Sequence, residues 1–257
     1  MFKFLIYIVF FATFCSITNT TQAQTKKKTA NKNTRVAAKR GSTKVKTTIA
    51  IAKQIDTSIR IKLTTEFGIM ILKLSDKTPK HRDNFVKLVK EHFYDSLLFH
   101  RVISQFMIQG GDPLSKNAQP GQMLGMGDIG YTVPAEFDST LFHKKGALCA
   151  ARTENPEKAS SACQFYIVQG RPSSDGELDN VSRGNNVFYS NQKRMTYKVK
   201  GGTPFLDNNY TVFGEVETGL DVIDKIAAVE KQPGDRPIKD VRMFMEIVEP
   251  IKENKNK

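Results

Sequence analysis

Arg101 and Gln109 are the residues best suited to chemistry in FHRVISQFMIQGGDP (99–113), where they sit among two phenylalanines and a methionine. The guanidinium is permanently charged and offers a fixed fork of donors, while the amide can both donate and accept. Met107 and Gln109 share strand parity and can face one side of a sheet. Gly110-Gly111 then permits a close turn. Two readings fit these residue types: an ordinary buried strand with polar tips, or an apolar pocket with convergent polar groups. The sequence has no CxxC, HExxH or clustered His/Cys set, so no catalytic metal or other cofactor is expected. His81, His92 and His143 lack metal-ligand spacing and read as surface or satisfied residues, and His100 as a structural residue beside the strand.

The elements that must position this stretch follow from periodicity. RIKLTTEFGIMILKL (60–74) reads as two strands around a turn at Glu66-Phe67-Gly68, with Ile61, Leu63, Ile69, Ile71 and Leu72 as the apolar set. TPKHRDNFVKLVKEHFYDS (78–96) has helical spacing. Thr78 is a candidate cap, Pro79 suits the first turn, and Phe85, Leu88, Val89 and His92 share a face. Six short apolar runs follow, separated by turn residues: LLFHRVI, FMIQGG, GALCAA, CQFYIVQG, YTVFGEV and VRMFMEIV. A second helix, LDVIDKIAAVEK, lies between the last two, with Val222, Ile223, Ile226 and Ala227 inward. Many short strands and two helices predict a mainly β antiparallel barrel or sandwich with helices at its ends. Residues 171–203 are polar and rich in Gly, Ser and Asn, and read as an insertion with short helical pieces.

Charge separates the chain into parts. The formal net charge is +13, but residues 1–53 contain eleven Lys/Arg and no Asp or Glu, so that only +2 belongs to the remaining 204 residues. Residues 1–24 have the architecture of a secretory signal peptide: Lys3, an apolar run to about Ile17, then a polar stretch ending near Ala23. Residues 25–53 are basic and without period, and read as a disordered linker. The folded domain is expected over 54–251, followed by a charged tail, 252–257. Export places the protein in the periplasm, with secretion the alternative. The basic arm reads first as a spacer, second as weakly adhering to an anionic envelope surface. No nucleic-acid partner is expected. Cys149 and Cys163 would then meet an oxidising compartment, where one disulfide is open but not readable from spacing.

The stretch 99–113 resembles the cyclophilin family of peptidyl-prolyl isomerases. GALCAARTENPEKASSACQFYIVQG (146–170) is similar to the family's second signature and PFLDNNYTVFGEVETGLDVIDKI (204–226) to its third; NFVKLVKEHFYDSLLFHRVI (84–103) resembles the helix-to-strand entry of bacterial members. The resemblance spans roughly 57–249 apart from the insertion. It implies a closed eight-stranded antiparallel β-barrel of cyclophilin type capped by two α-helices, with a groove on the outer surface.

The implied activity is rotation about X-Pro bonds, a reaction with a barrier of about 18–20 kcal/mol that breaks no bond. It needs a site that binds the twisted amide better than the planar one. By the resemblance, Arg101 donates to the prolyl nitrogen, Gln109 holds Arg101 and a substrate carbonyl, and Phe106 and Met107 line the proline pocket. Ala151 and Arg152 supply backbone groups that pair with an extended substrate. Gln164 is the neighbouring polar residue, Tyr166 the pocket aromatic, Phe205 a variable aromatic, Leu206 a pocket wall, and Tyr210 stands where His is common. Tyr166 for Phe adds a hydroxyl that must find a partner. These departures bear on substrate preference. The implied partners are unfolded or extended proline-containing polypeptides, met by a monomer. A proline-segment binding module or holdase with incidental turnover is the alternative.

Overall fold

A computed structural model describes residues 56–248; the signal-peptide, linker and tail readings fall outside the described residues. The first hairpin forms where the alternation places it, as β1 (Arg60–Thr65) and β2 (Gly68–Leu74). Its register pairs Leu63 with Met70 and Ile61 with Leu72. The buried set on β2 is therefore Met70, Leu72 and Leu74; Leu72 is in the core as expected, whereas Ile69 is exposed and Ile71 only half-buried. Of the expected β2 residues, the register set by the two-residue turn puts Leu72 inside and Ile69 and Ile71 on the other face.

Helix α1 (Pro79–Lys90) follows, with Phe85, Leu88 and Val89 buried. Thr78 makes no capping hydrogen bond; the Glu136 carboxylate takes its place, accepting from the backbone N–H of Lys80 at 3.1 Å and of His81 at 3.0 Å. An acidic group at a helix N-terminus satisfies orphan donors in this way. His92 lies beyond the helix and is exposed. Then come β3 (Arg101–Ile103), β4 (Met107–Gly110), β5 (Thr132–Val133), β6 (Ala147–Ala150), β7 (Ser160–Ser161) and β8 (Phe165–Val168). Two helices occupy the insertion, α2 (Asp175–Asn185) and α3 (Asn191–Val199), before β9 (Val212–Thr218), α4 (Leu220–Ala227) and β10 (Phe244–Val248). The described residues thus hold four α-helices: the two expected beside the sheet, and two in the insertion, where short helical pieces were expected.

The main sheet has eight antiparallel strands in the order β10-β1-β2-β9-β6-β8-β4-β3, and β5 pairs with β7 alone. No ladder joins the edge strands β3 and β10 among the described residues. The segments that lead into them are bonded instead: Ser96 N–H to Met243 O, Met243 N–H to Leu97 O, and Phe99 N–H to Val241 O, each at 2.9 Å. These bonds join the chain just before one edge strand to the chain just before the other and protect backbone beside the sheet's edges.

Alternation gives the sheet two apolar faces. The inner one (Val102, Ile108, Leu148, Phe165, Ile167 and Phe213 among others) packs with α1 and α4 into the principal core. The outer one gathers Met107, Cys149, Ala151, Tyr166, Leu206 and Val212 into a second cluster. This division answers the disulfide question. Cys149 and Cys163 are both free and buried, Cys149 in the outer cluster and Cys163 in the core, so the sheet itself separates them. Burial raises both thiols, Cys163 to about 11.

Gly111 follows β4 with φ +92°, and a Cβ there would collide with the Cys163 carbonyl oxygen. Both the backbone angle and the neighbour exclude a side chain. Gly111→Ala is therefore expected to cost about 3 kcal/mol or more, read as a lowered urea midpoint with unchanged slope.

Candidate functional site

The β3–β4 register sets Arg101 opposite Gln109, and β4–β8 sets Gln109 opposite Tyr166. Adjacent outward positions on three strands thereby converge. Arg101 Nη1 donates to Gln109 Oε1 at 3.3 Å, and Gln109 Nε2 donates to Gln164 Oε1 at 3.1 Å. Gln164 Nε2 in turn donates to the carbonyls of Gly125 at 3.0 Å and Gly127 at 2.8 Å. Every amide orientation in this chain is fixed by its neighbour, so the guanidinium is held at the end of a chain rooted in backbone. Asp235 adds a distant ionic contact to Arg101 at 3.8 Å; both partners are nearly half exposed, and such a pair contributes little.

Beside Arg101 opens a cavity of about 160 Å³, lined by Arg101, Phe106, Met107, Gln109, Ala151, Arg152, Tyr166, Leu206 and Tyr210. Of the residues singled out in the sequence, Gln164 and Phe205 stand just outside it. Gln164 braces Gln109 and lines a neighbouring cavity of about 510 Å³ that shares Gln109, Ala151 and Arg152. Phe205 is half exposed at the rim, its ring 5.7 Å from that of Phe106. Arg152 stacks its guanidinium 4.7 Å over the Tyr210 ring, which meets Tyr166 edge-on at 6.0 Å.

Ala151 departs from the role the resemblance implies. Its N–H donates to Gln164 O at 2.9 Å and its carbonyl accepts from Ser161 N at 2.8 Å, so its backbone is already paired. Arg152, the next residue, has no backbone hydrogen bond among the described residues.

Two supporting residues, Asp112 within the 99–113 stretch and His143 far from it, were not among the expected site residues. Asp112 is fully buried, accepting from Leu114 N at 2.7 Å and from Gly125 N, and so ties the end of the β4 stretch to the loop that holds Gln164. The extra hydroxyl of Tyr166 finds His143, with OH to Nε2 at 3.0 Å. His143 is buried and satisfied, as its lack of metal spacing suggested.

His100 is buried beneath the 125–127 loop, with neither ring nitrogen partnered among the described residues. Burial pushes its pKa down to about 4 from 6.5. The unfolded chain takes up this proton near 6.5 and the folded chain only near 4, so stability falls as pH falls through that window and is fully present above it. The loss amounts to about 3 kcal/mol by pH 4. A His100→Leu variant should show a flatter urea midpoint between pH 7.5 and 4.5 than wild type, in parallel titrations.

The fold and the site together define a mainly β protein with an apolar cavity beside a braced guanidinium on one face of its sheet. Residues 60–246 match the family model described as cyclophilin type peptidyl-prolyl cis-trans isomerase/CLD. Among similar proteins, one of Streptococcus pyogenes named for bifunctional phosphatase and peptidyl-prolyl cis-trans isomerase activity is 38% identical over 190 residues, covering 72% of this chain; the chain spans 37% of that relative. One of Staphylococcus saprophyticus named for peptidyl-prolyl cis-trans isomerase activity is 35% identical over 193 residues, covering 74% of this chain and 92% of the relative. A Cryptosporidium parvum cyclophilin type isomerase structure matches in fold with TM-score 0.54 at 20% identity, covering 75% of this chain and 98% of that one. A second structure of it, in the presence of the dipeptide Ala-Pro, has TM-score 0.53. The chain belongs to the cyclophilin-type peptidyl-prolyl cis-trans isomerase family.

Proposed function

We propose that the protein is an exported isomerase that rotates X-Pro bonds in extended or unfolded segments of other exported proteins. The observation that carries the reaction is the Arg101–Gln109–Gln164 chain ending at the mouth of the apolar cavity. A proline ring seated against Phe106, Met107 and Leu206 brings its nitrogen towards the guanidinium. As the amide twists, resonance is lost and a lone pair localises on that nitrogen; a donor fixed beforehand stabilises this state without reorganising. Gln109 keeps one amide hydrogen beyond its bond to Gln164, free for the substrate carbonyl, and the Arg152 backbone can pair with the extended chain on the other side. Contacts of this kind read the proline and the backbone, so low sequence selectivity is expected outside the proline.

Export rests on the apolar leader in residues 1–24, and the periplasm is the compartment we assign. The monomeric state and a weak hold of the 25–53 arm on anionic envelope surfaces belong to the same reading. The test is cis-to-trans conversion of an Ala-Ala-Pro-Phe peptide by wild type and by Arg101→Ala. Acceleration that depends on Arg101 supports the isomerase; a folded wild type that binds the peptide without accelerating conversion leaves a proline-binding module.

A further inference from the structure

The insertion builds a small core of its own: Leu178, Val187, Tyr189 and Tyr197 form a buried cluster separate from the two faces of the sheet. Its first helix begins on a capping box in which Ser174 and Glu177 satisfy each other's backbone donors. Such a unit is ordered locally, and what it touches is specific.

It touches the segment that forms the pocket wall. Asn185, at the end of α2, donates through Nδ2 to the carbonyls of Phe205 at 2.9 Å and Asp207 at 3.2 Å. The Tyr189 hydroxyl lies 2.9 Å from Asp207 Oδ2 and 3.1 Å from Pro204 O. The Tyr197 hydroxyl, on α3, donates to the same Oδ2 at 2.6 Å. The other carboxylate oxygen, Oδ1, accepts from His143 Nδ1 at 2.7 Å and from the His143 backbone N–H at 2.9 Å. With the proton on Nδ1, His143 Nε2 is the acceptor for the Tyr166 hydroxyl. A continuous hydrogen-bonded path thus runs from the two insertion helices through Asp207 and His143 to a wall of the cavity. All its side chains from Tyr197 to Tyr166 are buried.

We propose that residues 171–203 set the geometry of the proline pocket, with Tyr189 and Tyr197 as positioning residues that act through Asp207 and His143 on Tyr166 and through the backbone on Leu206. Burial raises the pKa of Tyr189, Tyr197 and Tyr166, which keeps all three phenols protonated and able to donate across the physiological range. Tyr166 and Leu206 line the cavity, whereas Arg101 is held through the separate side-chain bonds of Gln109 and Gln164. A disturbance at the insertion end therefore shifts the pocket wall and leaves the guanidinium in place.

The inference rests on the isomerase reading and is tested by kinetics on the Ala-Ala-Pro-Phe peptide. Tyr197→Phe and Asn185→Ala are each expected to raise KM by about three- to tenfold with kcat within about twofold, since they loosen ring placement and spare the donor. Tyr166→Phe should show the same split, and the Tyr166→Phe/Tyr197→Phe pair should be no worse than Tyr166→Phe alone, because both cut one path. A merely structural role would lower the melting temperature and leave KM of the folded protein unchanged. Asn185 is only partly buried, so its variant decides the matter should Tyr197→Phe fail to fold. Wild-type KM for both folded variants, or losses that multiply in the double variant, would overturn the inference. An inactive wild type would instead overturn the isomerase reading itself.

Discussion

Arg101→Ala is expected to lower kcat/KM for an X-Pro peptide by about 100- to 1,000-fold while leaving KM almost unchanged. The reasoning starts from what the planar amide offers: its nitrogen lone pair is delocalised, so the guanidinium gains little from a ground-state substrate. Once the bond twists, the lone pair is localised and the charge-assisted donor meets a real acceptor. An interaction made only in the twisted state raises kcat and does not tighten binding, so its loss appears in kcat and kcat/KM alike. Arg101→Lys should recover only part of the loss. Lysine keeps the charge but lacks the planar fork with which Arg101 can grip Gln109 Oε1 and aim a second N–H at the substrate. The measurement is a progress curve at several peptide concentrations for all three proteins. Equal kcat in wild type and Arg101→Ala would show that the guanidinium is not the group that acts.

How much of this was legible in the chain depends on how local each signal is. Met107 and Gln109 could be placed on one face from their spacing alone, because a strand has a period of two and β4 obeys it. The contributions of Tyr166, Leu206 and Tyr210 came through the resemblance, since they lie on elements far apart in sequence and no periodicity links them. Ala151 shows the limit of that route. Its position matched, but whether its backbone groups are free depends on Gln164 and Ser161, which pair with both of them. The short helical pieces expected in the insertion had a local start signal that was not used: Ser174-Asp175-Gly176-Glu177 is a capping box in sequence as well as in structure. The eight-strand count was visible in the first hairpin and the apolar runs, but the bonding of Ser96–Phe99 to Val241–Met243 beside the edge strands was not, because those segments are not regular strands. Asp207 and His143 were out of reach for a plainer reason. They are 64 residues apart, and neither stands in a pattern that names the other.

Asp207 is the site of the second large effect, and here the effect is on stability. Its side chain is almost wholly buried and accepts from His143 Nδ1, the His143 backbone N–H, and the hydroxyls of Tyr189 and Tyr197. Asp207→Ala removes every one of these acceptors at once. The Tyr197 hydroxyl and the His143 imidazole and backbone N–H groups would lose their acceptor in a space that the alanine methyl does not fill, whereas the Tyr189 hydroxyl keeps the Pro204 carbonyl. Each unsatisfied buried donor costs about 1–3 kcal/mol, and breaking a buried charged network typically costs about 3–5 kcal/mol in all. For a domain of this size that corresponds to a fall in melting temperature of about 6–20 °C. Asp207→Asn should lose less than half as much, because its amide oxygen can serve His143 while the tyrosine hydroxyls rotate to accept from its NH₂. The ordering is the informative part. Wild type above Asn above Ala in thermal unfolding is what a network of directed hydrogen bonds requires. Asn and Ala falling equally would mean that the negative charge, and not the geometry of its partners, is what the insertion and the pocket wall share.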